Sequence, residues 1–256
     1  MREARSWMDA AEAVARVAGE VALRHYHRGV TVETKKDGTP VSVADRQAEE
    51  AARAWLEKHC PEDGILGEEL GATRPEARRR WILDPIDGTK TFVRRVPLWG
   101  TLVALAEGEN VLAGAAFFPA VDELLVAAPG AGCFWNGKPA HVSSVSRLSE
   151  AVMLTTDARM GTQDQIRALD ALCARAGLVR TWGDCYGYLL VATGRAEVMS
   201  DAMMAPWDAA ALQPIIEEAG GVFGDWSGRR TAFGGNAVAS NAALAAEVRA
   251  ALGGSR

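Results

Sequence analysis

The chain has 256 residues, of which 48% are hydrophobic and 24% are charged, a composition typical of soluble globular proteins. This apolar content excludes a disordered chain, which buries too little surface to fold. The formal net charge of −5 disfavours nucleic acid as a partner, because phosphate backbones attract a surplus of Lys and Arg. The length is near the limit of a single core, so we expect one large domain or two closely packed halves.

The first half of the chain predicts two amphipathic helices and then a series of strands. Apolar residues recur at helical spacing over 6–27, and again over 42–59 with Ser42 as the N-cap. Between them we expect a short strand over 30–35 and a turn over 36–40. Short apolar segments then indicate strands at 65–66, 81–83, 101–106, 111–118 and 123–127.

The second half mixes further strands and helices. A strand is predicted over 151–155 and a helix over 163–176, and the apolar segment 185–192 is either a buried helix or a strand. The remaining predictions are an extended segment at 197–199, a long helix over 209–219 ended by Gly220-Gly221, a strand at 238–240 and a helix over 242–252. Together the elements indicate a layered α/β or α+β fold.

The cysteine pattern and the N-terminus predict a reduced, cytoplasmic protein. The four cysteines are widely spaced and form no C-x-x-C pair, so neither a disulfide scaffold nor a zinc ribbon is expected. Charged residues come before any apolar segment, so no signal peptide is expected. No apolar stretch reaches the roughly 18 residues that a membrane span requires, so no membrane partner is predicted.

The strongest chemical signal is the segment Trp81-Ile82-Leu83-Asp84-Pro85-Ile86-Asp87-Gly88-Thr89. An apolar strand brings Asp84 to its C-terminal end, where Pro85 is expected to stop the strand. Asp84 and Asp87 lie three residues apart across a tight turn, so they can converge on a hard cation with the carbonyl oxygen of Ile86 between them. The alternative is that this segment is simply favourable turn chemistry.

The end of the same segment suits an anion. Gly88 allows a close approach of the backbone, and a helix that begins at Thr89 would present its first N–H groups beside the cation. Carboxylates, Mg²⁺ and a helix N-terminus together describe a site for a phosphate ester.

Three further acidic residues are candidates for the same site, each with a simpler alternative. Glu68 follows the apolar pair at 65–66 and could face the metal from a strand end, or it could be solvated. Asp208 could bridge a metal from the second half, or it could serve only as the N-cap of the long helix. Asp45 lies in the early turns of the second helix, where a contact with the helix dipole would also explain it.

The joint occurrence of Gly67-Glu68-Glu69, the segment 81–89 and Pro206-Trp207-Asp208 resembles the inositol monophosphatase superfamily, nearly over the whole chain. The resemblance implies a layered αβαβα sandwich that hydrolyses phosphate monoesters with Mg²⁺, two to three ions per site, and that usually forms a homodimer. It places most metal ligands in an N-terminal half, 1–140, and Asp208 and specificity residues in a closely packed C-terminal half, 141–256.

Site residues are carried over from the family position by position. The implied metal ligands are Glu68, Asp84, the Ile86 carbonyl, Asp87 and Asp208. The segment Ile86-Asp87-Gly88-Thr89 would hold the phosphate, and Asp208 would also face the substrate. Thr89, with Asp45 or Glu68, would orient and deprotonate the attacking water. The loop at 36–39 would be mobile and would help to retain the most weakly bound metal.

Within the superfamily, the stretch 90–102 is most similar to the histidinol-phosphate phosphatase branch. The segment 180–188 is also similar to that branch, in which the residue matching Arg180 contacts the substrate. Histidinol phosphate carries an ammonium and an imidazole, so its site should offer carboxylates away from the metals. Asp184 and Asp201 are candidates, because the family places the matching segments at the non-phosphate end; the alternative is a helix cap and a solvated acid.

Other functions stay open on the sequence alone. Because Lys90 follows the Gly-Thr pair, the chain also resembles the nucleotide phosphatases that act on adenosine 3′,5′-bisphosphate. The other alternative is an inositol-1-monophosphatase. A different class is a regulatory interaction module, because some members of the superfamily act as partners in transcription with catalysis secondary. The complete set of metal carboxylates together with Thr89 favours an active enzyme.

Overall fold

The structure is a computed structural model that describes residues 2–28, 32–34 and 40–253. The predicted mobile loop at 36–39 lies outside the described residues. The helices of the described part are α1 (Arg2–Arg28), α2 (Val43–His59), α3 (Thr89–Val93), α4 (Gln163–Cys173), α5 (Asp184–Ala192), α6 (Pro206–Ala209), α7 (Leu212–Glu218) and α8 (Ala245–Gly253).

The strands of the first half are β1 (Val32–Thr34), β2 (Pro40–Ser42), β3 (Gly64–Gly67), β4 (Gly71–Thr73), β5 (Arg80–Asp87), β6 (Gly100–Glu107), β7 (Asn110–Phe118), β8 (Glu123–Ala128), β9 (Gly132–Trp135) and β10 (Lys138–Pro139). The strands of the second half are β11 (Val152–Leu154), β12 (Leu178–Arg180), β13 (Val198–Asp201), β14 (Gly221–Gly224) and β15 (Ala237–Asn241).

Two sheets organise the molecule. Among the described residues, the larger sheet has eight strands in the order β10-β9-β8-β7-β6-β5-β3-β4, and the smaller has five in the order β12-β11-β13-β15-β14. In the larger sheet β3 and β5 are parallel, whereas β5 and β6 are antiparallel. Parallel neighbours end at the same edge of a sheet, and the candidate acids follow β3 and lie in β5.

Side-chain alternation explains why the larger sheet is covered on both faces. In β5, Trp81 and Leu83 belong to the apolar core formed with α1 and α2, whereas Ile82 belongs to the core shared with α5 and α7. A third core joins α4 and α8 to the smaller sheet through Leu169 and Val248. The layers therefore follow the order αβαβα, which confirms the predicted fold class.

Strand β5 differs from the prediction that Pro85 would end it. The strand continues to Asp87, and its pairing with β6 shifts register between Asp84 and Asp87. A bulge leaves a residue outside the regular ladder, so the missing N–H of Pro85 breaks no pairing there. The Thr101 hydroxyl donates to the carbonyl oxygen of Pro85 over 2.8 Å and holds the bulge from the neighbouring strand.

The long helix predicted over 209–219 is wrong in one respect, because the structure has two short helices, α6 and α7. Pro214 lies in α7, and its ring excludes the carbonyl oxygen of residue 210 from the normal helical position. The helical hydrogen-bond ladder is interrupted there, although Ala210 and Ala211 keep helical dihedral angles. The next carbonyl oxygen, that of Ala211, packs so closely on Gly114 that a Cβ at 114 would lie 2.3 Å from it.

The other predicted helices and strands agree with the described residues apart from their ends, and the turn predicted over 36–40 lies outside the described residues except for Pro40. The helices predicted over 6–27, 42–59 and 163–176 are α1, α2 and α4, and the ambiguous segment 185–192 is the helix α5. No helix in the described part of the chain is long and apolar enough to cross a membrane.

Candidate active site

Glu68 and Asp84 are brought side by side by two parallel strands. Gly67, the last residue of β3, pairs with Leu83 of β5, so the residues that follow each of them leave the same position of the sheet. The N–H of Glu68 donates to the carbonyl oxygen of Leu83 over 3.2 Å and continues the pairing by one residue. Two acidic residues at the same strand end can share a cation, as the sequence predicts.

The bulge of β5 fixes Asp84 and Asp87. The N–H of Ile86 donates to Oδ1 of Asp84 over 3.0 Å, which closes a tight turn around the carboxylate. Asp87 Oδ2 accepts the N–H of Cys185 over 2.6 Å, from the start of α5. Asp84 is only 2% exposed, so its negative charge requires a compensating cation or protein group, and without one the carboxyl group favours its protonated form.

Asp208 reaches the cluster from α6, and the alternative that it is only the N-cap of the long helix is wrong. Ala205 is the N-cap, and Oδ2 of Asp208, the third helical residue, accepts the N–H of Ala205 over 2.7 Å. Pro206 takes the first helical position, where a missing N–H costs nothing, so the helix begins earlier than predicted. Oxygen atoms of Asp84, Asp87 and Asp208 all lie within 4.8 Å of one another.

In the absence of a cation, burial and mutual repulsion disfavour the charged form of these carboxyl groups. Burial, and after it the charges of Glu68 and Asp87, raise the pKa of Asp84 well above its usual value. Burial also raises the pKa of Asp208 to about 7, against the lowering effect of the Ala205 N–H. A bound cation would compensate all of these charges at once.

The cluster fits Mg²⁺ by the chemistry of its donors. All its side-chain donors are carboxylate oxygens, the hard ligands that Mg²⁺ and Ca²⁺ prefer over softer metals. Oxygen atoms on opposite sides of a Mg²⁺ ion lie about 4.2 Å apart, since each bond is about 2.1 Å long. One oxygen from each of Asp84, Asp87 and Asp208 lies within 4.8 Å of the others, so the three residues are near enough to share one ion.

Helix α3 begins at Thr89, as the sequence predicts, directly after the carboxylates. Its N-cap Gly88 has φ 85°, a left-handed conformation that glycine adopts without strain. The Thr89 hydroxyl donates to the carbonyl oxygen of Ile86 over 3.2 Å. The hydroxyl is therefore held beside the backbone carbonyl predicted as a metal ligand.

A cavity of about 580 Å³ opens beside the cluster. Its lining includes Glu68, Thr89, Trp182 and Asp184. Asp184 has φ 50° and begins α5, and its Oδ2 accepts the hydroxyl of Thr91 over 3.0 Å. Burial raises the pKa of Asp184, while the bond from Thr91 and the charge of Lys90 lower it. A carboxylate thus stands in the cavity outside the three-acid cluster.

The other predicted substrate residues occupy different surroundings. Asp201 is buried rather than solvated, and its two oxygens accept the N–H of Thr156 over 2.9 Å and the hydroxyl of Tyr188 over 3.1 Å. Burial raises its pKa to about 6. Arg180 is exposed at the end of β12, and neither it nor Asp201 lines the cavity. The substrate contacts of both stay predictions.

Asp45 lies buried in the first turn of α2, and its charge contributes to the raised pKa of Asp84. It is therefore near the cluster, as the resemblance implies, and its part in catalysis stays a prediction.

Two residues that the sequence analysis does not single out support the site. The Thr156 hydroxyl accepts the N–H of Asp184 over 2.7 Å, and Glu49 accepts N–H groups just after Glu68. Glu49 lies one helical turn after Asp45, so a check of that helix face would have found it. Thr156 lies 28 residues from its partner and gives no local signal.

The fold and the carboxylate cluster define the class of metal-dependent phosphatases. The model of the inositol monophosphatase family matches residues 3–253, and the chain belongs to this family, which confirms the predicted resemblance.

Individual relatives agree with this assignment. The chain is 42% identical to the histidinol-phosphatase of Chlorobaculum parvum over 243 residues, which cover 94% of each protein. It is 40% identical to the histidinol-phosphatase of Mycobacterium tuberculosis over 226 residues, 85% of this chain and 86% of that protein. The crystal structure of the extragenic suppressor protein suhB from Bartonella henselae matches with a TM-score of 0.90 at 30% identity, covering 97% of this chain and 99% of that one.

Proposed function

We propose that this protein hydrolyses L-histidinol phosphate to L-histidinol and phosphate, a reaction of histidine biosynthesis. As a member of its family it is a phosphoric monoester hydrolase. The observation that carries the choice of substrate is the 42% identity to a histidinol-phosphatase over 94% of the chain. The cavity supports this choice, because Asp184 offers a carboxylate to a cationic substrate.

The metal is proposed to be Mg²⁺, two to three ions per site, held by Glu68, Asp84, Asp87, Asp208 and the carbonyl oxygen of Ile86. When bound, Mg²⁺ acidifies a water and neutralises charge on the phosphate. The protein holds the carboxylates in place beforehand through the N–H groups of Ile86, Cys185 and Ala205. Preorganised ligands of this kind avoid rearrangement during the reaction.

The attacking water is proposed to lie near the Thr89 hydroxyl. That hydroxyl is fixed by its bond to the Ile86 carbonyl oxygen, and Glu68 or Asp45 would accept the proton of the water. The oxygen of this water would form a bond to phosphorus as the bond from phosphorus to the alcohol oxygen breaks, and the leaving oxygen would take up a proton from solvent to give the alcohol. The segment Ile86-Asp87-Gly88-Thr89 would hold the phosphate, and the chain would form no covalent intermediate.

The leaving alcohol is proposed to lie in the part of the cavity that Asp184 lines. An ammonium or imidazolium would be attracted to this carboxylate, whereas inositol carries no positive charge. Asp201 would act through Thr156, whose hydroxyl accepts the Asp184 N–H and whose own N–H reaches Asp201. The resemblance also assigns a substrate contact to Arg180.

The test is a substrate panel with Mg²⁺. It compares phosphate release from L-histidinol phosphate, myo-inositol 1-phosphate, adenosine 3′,5′-bisphosphate and fructose 1,6-bisphosphate. We expect the highest kcat/KM for histidinol phosphate. A clearly higher kcat/KM for inositol phosphate would overturn the proposed substrate, and no release from any of the four would favour the regulatory module.

The oligomeric state of the protein, its cellular location and the position of its site between the halves are also proposed. A homodimer is proposed from the resemblance, and so is a site formed between the halves 1–140 and 141–256. A location in the cytoplasm is proposed from the cysteine pattern and the charged N-terminus. The four cysteines are free, as a reducing compartment would keep them. Sedimentation at several protein concentrations, with and without Mg²⁺, tests the dimer.

A further inference from the structure

Glu49 is a buried carboxylate of α2 that faces the turn carrying Glu68. It is 0% exposed, and both of its carboxylate oxygens accept hydrogen bonds. Oε2 accepts the N–H of Glu69 over 2.8 Å, and Oε1 accepts the N–H of Leu70 over 3.2 Å. These are the two N–H groups directly after Glu68, so the carboxylate fixes the backbone on the C-terminal side of that residue.

The backbone on the other side of Glu68 is fixed as well. A Cβ at Gly67 would lie 1.9 Å from Oε1 of Glu49, so only glycine lets the carboxylate come this close. The N–H of Glu68 itself is bonded to Leu83 of the neighbouring strand over 3.2 Å. Glu68 therefore leaves a backbone that has little freedom to rotate, which fixes the point from which its side chain starts.

Arg53 extends this support into the next strand. Its Nε donates to Oε1 of Glu49 over 2.8 Å, and a second nitrogen donates to the Thr73 hydroxyl over 2.8 Å. A third bond reaches the carbonyl oxygen of Gly71. The guanidinium compensates the buried charge of Glu49 and ties it to the β3–β4 hairpin, so the group acts as one unit.

We infer that Glu49 is a positioning residue that aims Glu68 at the metal site. The inference rests on the proposed function, which makes Glu68 a metal ligand. One face of helix α2 then contributes two residues to the site: Asp45 lies near the cluster, and Glu49 lies one helical turn further on. Outer partners that orient a ligand typically change metal affinity about 10- to 100-fold when they are removed.

The test uses the full chain and measures Mg²⁺ binding by titration calorimetry without substrate. Glu49→Asp keeps the negative charge but is one methylene shorter, so it cannot reach both N–H groups. We expect its Kd for Mg²⁺ to rise about 10-fold or more, and Glu49→Gln to show a similar loss. The Mg²⁺ concentration that gives half-maximal activity should rise in parallel, with a smaller change in kcat at saturating Mg²⁺.

Asp63→Asn is the matched control for a general loss of stability. Asp63 is also buried and accepts Nε of Arg79 over 3.0 Å and the Trp81 indole N–H over 3.1 Å. It precedes the start of β3, whereas Glu68 follows its end. We expect a lower melting temperature and an unchanged Kd for Mg²⁺.

Each result has a defined meaning. The inference is overturned if Glu49→Asp binds Mg²⁺ like the wild type. This holds even if Glu49→Gln binds weakly, because weak binding by that variant alone would indicate an effect of charge and not of position. An equal loss in Asp63→Asn also overturns it. No saturable binding to the wild type overturns the proposed metal site itself. Should the Glu49 variants not fold, Arg53→Lys keeps the charge, removes the bonds to Thr73 and Gly71, and should weaken binding to a smaller degree.

Discussion

The backbone N–H of Cys185 donates to Oδ2 of Asp87 over 2.6 Å, across 98 residues of sequence. This bond joins the start of α5 to the bulge of β5, so the helix that carries Asp184 is fixed relative to the carboxylate cluster. The bond also lowers the pKa of Asp87, but burial and the charge of Asp184 raise it more. Asp87 therefore belongs both to the proposed metal site and to the contact between the two parts of the chain.

Asp87→Asn should remove activity without loss of fold. Asparagine keeps an oxygen for the Cys185 N–H but removes the charge, so kcat/KM should fall about 100-fold or more, at least as much as for an outer partner of a metal ligand. The metal-free variant should melt at a temperature no lower than the wild type, because a repulsive buried charge is gone.

Phosphate release in the presence of Mg²⁺ checks the predicted loss of activity, and thermal denaturation in EDTA checks the predicted melting temperature. Asp164→Asn, an exposed acid in the first turn of α4, is the control for loss of an acidic residue elsewhere. Activity near that of the wild type in Asp87→Asn would contradict its role as a ligand.

Asp184→Asn should discriminate between substrates. Asparagine tolerates the left-handed backbone that φ 50° requires and can still accept the Thr91 hydroxyl, so the main change is the loss of charge. We expect KM for histidinol phosphate to rise about 10-fold, as for the loss of a single charged contact, and KM for an uncharged phosphomonoester to change little. Equal changes in KM for both substrates would argue against recognition of the cation by Asp184.

The metal-free protein should become less stable as pH rises. The pKa of Asp208 is about 7 in the folded protein against 3.8 as its ordinary value, and that of Asp201 is about 6. The folded state therefore binds more protons than the unfolded state, and this contribution is present below pH 3.8 and is lost as pH rises through about 7. Asp225, whose pKa is lowered, changes stability only at more acidic pH.

Denaturation in EDTA between about pH 5 and pH 8 measures this effect. With Mg²⁺ the trend should reverse, because the cation competes with protons for the same oxygens and stabilises the protein more at pH 8 than at pH 5. Stability in EDTA that increases over this range would contradict the assignment of these raised pKa values to the folded protein.

Local signals explain what could be predicted from the sequence. Asp84 and Asp87 lie within one short segment, and helical periodicity marks α1 and α2. These features could be predicted because they depend on residues that are close together in the sequence. The bond from Cys185 to Asp87 and the pair of Asp201 with Thr156 depend on contacts between distant segments, which periodicity does not report. The bulge at Pro85 is a similar case, because it depends on the Thr101 hydroxyl of the adjacent strand.

Gly88→Ala should reduce both stability and activity, whereas Gly108→Ala should reduce stability alone. Both glycines have positive φ, 85° and 60°, so an alanine at either position carries a backbone cost of about 1–2 kcal/mol. A Cβ at 88 would also lie 3.0 Å from Oδ2 of Asp184, whereas nothing lies within 4 Å of a Cβ at 108. Asp184 would have to move in the first variant only.

The two effects are separated by urea denaturation and steady-state kinetics on the same preparations. The free energy of unfolding should fall in both variants, and by more in Gly88→Ala because Asp184 must also move. The value of kcat/KM for histidinol phosphate should fall several-fold in Gly88→Ala alone, since Gly88 lies between Asp87 and Thr89 and against Asp184. An equal loss of kcat/KM in Gly108→Ala would show that reduced stability, rather than a displaced Asp184, limits the reaction.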